Sequence, residues 1–82
     1  MQKTVNEIGT ILKAARKAKN LTQQQVADKA NIAQRHYQQF EYGGRNLATA
    51  SFKIAMAVLF ALDIPPSVLR EVYDRQLYNE GM

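Results

Sequence analysis

Between Gln23 and Gly43 the chain reads QQQVADKANIAQRHYQQFEYG, a run of glutamines with one arginine, one histidine and two tyrosines around few apolar positions. Glutamine is long and uncharged and carries both a donor and an acceptor, so exposed glutamines in a cluster suit a surface that hydrogen-bonds a patterned partner. In the DNA major groove, which admits one α-helix, Gln pairs bidentately with adenine and Arg with guanine. On a helix from about Ala33 to Tyr42, Tyr37 and Phe40 project to one side, and Gln34, Arg35, Gln38, Gln39 and Tyr42 spread over the other. That second face is suited to reading base edges. An ordinary solvated helix face is the competing reading, and the surrounding pattern has to separate the two.

Other chemistry finds little support. His36 is the sole histidine, there is no cysteine, and no carboxylate pair lies near it, so it reads as a helix-flank residue rather than a metal ligand or catalytic base. Glu41 has no nucleophile, second carboxylate or Gly-rich phosphate loop to work with. Met56 and Phe60, at helical spacing, fit a core or an interface better than a cofactor box. The sequence thus predicts no enzyme, cofactor or metal.

The elements that must position the polar face are legible from caps and periodicity. Thr4 and Glu7 form a capping box, and Val5, Ile8, Leu12 and Ala15 recur at helical spacing, with Lys13 and Lys17 directed elsewhere. Asn20 tolerates the left-handed conformation that stops this first helix. Thr22 and Gln25 then cap a short second helix, Gln23 to about Lys29, and Asn31 again supplies a positive φ before the third helix. Gly43-Gly44 ends that helix, and Arg45 to Thr49 reads as a polar connector. A fourth helix covers about Ala50 to Leu62, with Ala55, Val58, Leu59 and Leu62 on one stripe. Pro66 opens a fifth, reaching to about Tyr78, in which Leu69, Val72, Tyr73 and Leu77 share a face. The prediction is an all-α fold of five short helices forming one domain over residues 1–82, with its core at about 4–70 and a C-terminal helix or tail at 66–82.

Charge and size are consistent with that. Eighty-two residues support one small core. Residues 1–53 carry nine Lys/Arg against three Asp/Glu, or +6, and residues 54–82 carry two against four, or −2. A basic front suits a polyanion, and a mildly acidic back suits protein or solvent. Lys13, Lys17 and Lys19 lie in the basic half and suit nonspecific phosphate attraction. The longest apolar run, Ile54 to Leu62, is about half of the ~20 residues a bilayer span requires, so no membrane crossing is expected. Without a signal-peptide pattern or cysteines, the expected location is the cytoplasm.

Together, Arg16, LTQQQVADKA from Leu21 to Ala30, Ile32, the FEYG ending at Phe40 to Gly43, and ALDIPPSVL from Ala61 to Leu69 resemble the lambda-repressor-like, or Xre-type, helix-turn-helix family. The resemblance runs from about Ile8 to Leu69 and implies a helix-turn-helix made by helices 2 and 3. Position by position, it implies that Gln23 bonds a DNA phosphate and braces helix 3. Gln34, Arg35 and Gln39 would read bases, Ala33 would touch a thymine methyl, and Tyr42, Arg45 and Asn46 would meet phosphates. Arg16 and Glu41 resemble the family's internal salt bridge. Asn31 replaces the commoner turn glycine. Tyr37 stands where a β-branched aliphatic is usual, so either the core has room for a ring or helix 3 tilts differently.

These features predict a sequence-specific DNA-binding transcription regulator, a repressor that reads a palindromic operator in the major groove through helix 3. Leu69, Val72, Tyr73 and Leu77 can pack back on helix 4 or face another copy; the expectation is a homodimer joined through them, and the alternative arrangement is a monomer with a disordered tail after Tyr73. The alternative is a protein-interaction module, such as an antitoxin or antirepressor, that binds its partner through helix 5 and for which DNA is secondary.

Overall fold

Local signals set most of the helix boundaries. A computed structural model describes residues 7–80, with side chains through residue 75, and no strand occurs among them. Helix α1, Glu7–Ala18, buries Ile8, Gly9 and Leu12 and leaves Lys13 and Lys17 in solvent. Thr4 lies outside the described residues. Asn20, at φ 58°, turns the chain out of α1. Helix α2, Gln23–Ala30, opens on the reciprocal cap: the Gln25 amide donates to Thr22 Oγ1 at 3.0 Å, and the Thr22 amide donates to Gln25 Oε1 at 2.9 Å.

Asn31 sits at φ 60° between α2 and α3, Gln34–Tyr42, and Gly43 at φ 94° ends α3. A left-handed conformation costs an ordinary L-residue roughly 1–2 kcal/mol, less for Asn. Asn31→Ala is therefore expected to lower the unfolding free energy by about 1 kcal/mol, while Asn31→Gly does not lower it. Urea titration of the two variants checks this; equal values would remove the conformational role given to Asn31.

The connector departs from a plain loop. Leu47–Thr49 form a 3-10 turn, η1, because Asn46 Oδ1 accepts from the Ala48 amide at 2.9 Å and Leu47 is drawn into the core. Helix α4, Phe52–Ala61, begins two residues later than Ala50, where Ser51 Oγ caps the Ile54 amide at 3.2 Å. Asp63, at φ 57°, leads to α5, Pro66–Glu80, and the chain turns by 118° between the two helices. Lys19 reaches Asp63 at 2.5 Å and ties the end of α1 to that turn.

The core gathers Leu12, Val26, Tyr37, Phe40, Leu47, Val58, Leu59 and Val72 from every element. The face of helix 5 divides between core and surface. Val72 is buried in its own chain, and with Leu69 it lines a small apolar void shared with Ile8, Leu12, Leu59 and Ile64. The crossing of α5 over α1 and the end of α4 therefore buries Val72 and partly covers Leu69. Tyr73 is 42% exposed, and the Leu77 side chain lies outside the described residues.

Candidate nucleic-acid interface

Small residues let α2 and α3 cross closely. Ala27 is fully buried and Ala30 nearly so, and Val26, Tyr37 and Phe40 fill the crossing. The Ile32 amide donates to the Ala27 carbonyl at 3.0 Å, which fixes the turn.

Polar residues then lock α3 to α1 and α2. Arg16 Nε donates to Glu41 Oε2 at 2.7 Å and its Nη2 to Oε1 at 3.2 Å, while Nη1 donates to the Leu21 carbonyl at 3.1 Å. Tyr37 donates its hydroxyl to Glu41 Oε2 at 2.5 Å, and Gln23 Nε2 donates to Oε1 at 3.0 Å. Gln38 Nε2 in turn donates to Gln23 Oε1 at 3.0 Å. The buried carboxylate is thereby a common acceptor for three elements, and among the described residues no buried side-chain polar atom lacks a partner. Tyr37 fits as a full ring in the core because its one polar atom is bonded there.

Electrostatics follows from this packing. Burial works to raise the pKa of Glu41, but the bonds from Arg16, Tyr37 and Gln23 outweigh it and hold the carboxyl below the usual range. Burial, helped by the bond to Glu41, pushes the Tyr37 phenol well above its ordinary value, so it stays protonated. The bond to Glu41 likewise raises Arg16. Because the folded pKa of Glu41 lies below the unfolded value of about 4.3, its contribution is fully present above that pH and is lost as pH falls through the folded pKa. Stability should therefore decline below about pH 4, and more gently in Glu41→Gln, which has no carboxyl to protonate. Unfolding midpoints in urea across acid pH measure the difference; parallel curves would contradict it.

The outward pole of α3 is formed by Arg35 and Tyr42, both exposed, with Gln34 and Gln38 on the flank toward α2 and Gln39 on the other. Gln34, Gln38 and Gln39 are each half-buried. Ala33 is the N-cap of α3, exposed and without a side-chain cap bond. Arg45 Nε donates to Gln39 Oε1 at 2.6 Å, which leaves the Gln39 amide nitrogen as the donor on that flank. Asn46 is exposed at the start of η1. His36 stacks on Phe40 at 5.1 Å and lines an open groove with Arg45, Asn46 and Ser51.

Gln23, Gln38, Arg16 and Glu41 thus meet in one network, Gln39 and Arg45 form a second pair, and Arg35 and Tyr42 stand outermost. Sequence reasoning placed Gln38 on the polar face and did not foresee its bond to Gln23, nor that of Tyr37 to Glu41. The helical projection carried both signals, since Tyr37 and Glu41 are one turn apart and Gln38 borders the Glu41 side of α3. The described residues contain no cluster of His, Asp or Glu fit to hold a metal ion.

Residues 12–69 match the family model described as helix-turn-helix. No curated protein matches the chain. Among solved structures, a mutant form of the restriction-modification controller protein C.Esp1396I aligns with a TM-score of 0.67 at 20% identity, over 90% of this chain and 92% of that one. That likeness concerns the fold.

Proposed function

The chain belongs to the Xre-type, lambda-repressor-like helix-turn-helix family, whose members are DNA-binding transcription regulators and not enzymes, and on this premise we propose that it is a repressor that reads a palindromic operator with α3. One observation carries the reading: α3 turns Arg35 outward between flanking glutamines while its inner side is bolted to α1 and α2 through Glu41. A recognition helix needs that rigidity, because a base contact loses its selectivity when the side chain presenting it can drift.

The roles divide by geometry. Arg35 is the guanine reader. Gln34 reads the adjoining base edge, Gln39 offers a donor whose orientation is fixed by Arg45, and Ala33 meets a thymine methyl. Gln23 spends one amide hydrogen on Glu41 and retains a second for a phosphate oxygen at the start of α2. Gln38 positions Gln23. Tyr42, Arg45 and Asn46 take phosphates beyond the end of α3, and these contacts set register without carrying sequence information. Repression by occupancy requires only site-specific binding, and a homodimer would present two copies of α3 one helical turn of DNA apart. The acting compartment is then the cytoplasm.

Selection of sites from a random duplex library at physiological salt tests the proposal. A recovered palindrome with half-sites about one helical turn apart is the expected outcome. Folded protein that enriches no motif would defeat it.

A further inference from the structure

Helix α4, FKIAMAVLFA, is apolar nearly all round, yet only part of its circumference is covered by the rest of the chain. Helices of this composition are ordinarily buried on every side. Ala55, Val58, Leu59 and Ala61 face the core, whereas Phe52 is 80% and Phe60 70% exposed, with half-buried Met56 between them. These three recur at four-residue intervals and line one stripe, about 12 Å long, on the outside of the molecule.

We propose that this stripe is the surface through which two copies of the chain pair, α4 against α4 and antiparallel about a two-fold axis at Met56. The inference deepens the two-copy reading above and rests on it. The order Phe, Met, Phe is the same from either end, so an isologous contact sets Phe52 of each copy against Phe60 of the other and Met56 against itself. Charge fits the same arrangement. Antiparallel helices bring the positive end of one dipole to the negative end of the other. Lys53, the one charged residue on α4, is separated from its counterpart by about 9 Å along the axis and so faces no like charge directly.

The area available sets the strength of such a contact. At roughly 200 Å² per phenylalanine, the two rings expose about 300 Å² on each copy, or about 600 Å² for a pair. That is half the ~1,200 Å² at the low end of specific interfaces, before Met56, Ala57 and the Lys53 stem are added. The result is a modest, concentration-dependent dimer.

Sedimentation equilibrium without DNA tests the inference on wild-type protein and on the double variant Phe52→Ala, Phe60→Ala. The wild type is expected to pass from monomer to dimer with concentration. The double variant should dimerise at least about thirtyfold more weakly while keeping its helical circular dichroism at dilution, since both rings lie outside the core. As the chain has no cysteine, Met56→Cys supplies a single reporter, expected to form a disulfide-linked dimer under mild oxidation faster than Ala14→Cys, which is exposed on α1. A wild type that stays monomeric at high concentration overturns the inference and the homodimer together. A dimer untouched by the double variant, or a Met56→Cys chain that links no faster than the Ala14→Cys control, overturns the α4 assignment and leaves a homodimer joined elsewhere.

Discussion

Glu41→Ala is expected to cost about 3–5 kcal/mol of unfolding free energy, the largest single effect among these substitutions. The carboxylate is buried and serves Arg16, Tyr37 and Gln23 at once, so its loss leaves a largely buried guanidinium without its counter-ion and two further donors without their acceptor. The penalty comes from what is left behind rather than from the worth of the pair. Because a domain of this size has only about 5–15 kcal/mol in total, the variant should be close to unfolded at moderate temperature. Glu41→Gln keeps one acceptor oxygen but sets an NH2 donor against the donors on the other, so it should lose less than Glu41→Ala and still a measurable amount. Urea unfolding followed by circular dichroism gives both numbers. A loss below about 1 kcal/mol for Glu41→Ala would mean that the surrounding groups re-pair with water, and the account of α3 as a rigid helix would fail with it.

The second large effect is on recognition. On the proposed reading of α3, Arg35→Ala should weaken the selected operator by about 1–3 kcal/mol, roughly five- to 150-fold, and relax the preference at one base pair of each half-site. Random duplex should be affected far less, since a base contact contributes little where the base is wrong. Lys17→Ala, which removes one exposed cation of the basic half, offers the contrast: loss of a nonspecific phosphate attraction weakens every sequence alike and reduces the salt slope by about one. Titrations of both variants on operator and random DNA at several salt concentrations separate the two behaviours. Equal losses on both DNAs for Arg35→Ala would reduce that residue to a general phosphate contact.

The two experiments are linked through the same helix. Arg35 and Glu41 lie on different faces of α3, one presented to solvent and one buried against α1 and α2. A change at Glu41 that leaves the protein folded should therefore degrade discrimination between sites as well as stability, because the bonds through Gln23 and Gln38 hold the helix at a fixed orientation. The exposed ion pairs are different in kind. Arg70 meets Asp74 at 3.1 Å and Arg75 meets Glu7, both in solvent, where such pairs contribute little.

By itself the sequence determined most of the helix starts and stops and most of the residues that fill the core. Thr22 with Gln25, the left-handed Asn20 and Asn31, Gly43 and Pro66 act within a few residues of themselves, so their consequences can be read without the fold. The apolar stripe of α4, and Tyr37 and Phe40 on α3, followed from periodicity for the same reason. Only the tertiary structure decided which polar groups meet and which apolar faces are covered. Glu41 collects Arg16 from 25 positions away and Gln23 from 18, a convergence that no local spacing encodes. Leu47 looked like part of a polar connector until packing drew it inward. Of the helix 5 face, which the sequence left free to pack back or to meet a second copy, Val72 packs on its own domain and Tyr73 is exposed, while Phe52 and Phe60 emerge on α4. On a helix that is apolar on nearly all sides, periodicity names a stripe for the core but not how much of the remaining apolar surface stays in solvent, which is decided by the neighbours the helix packs against.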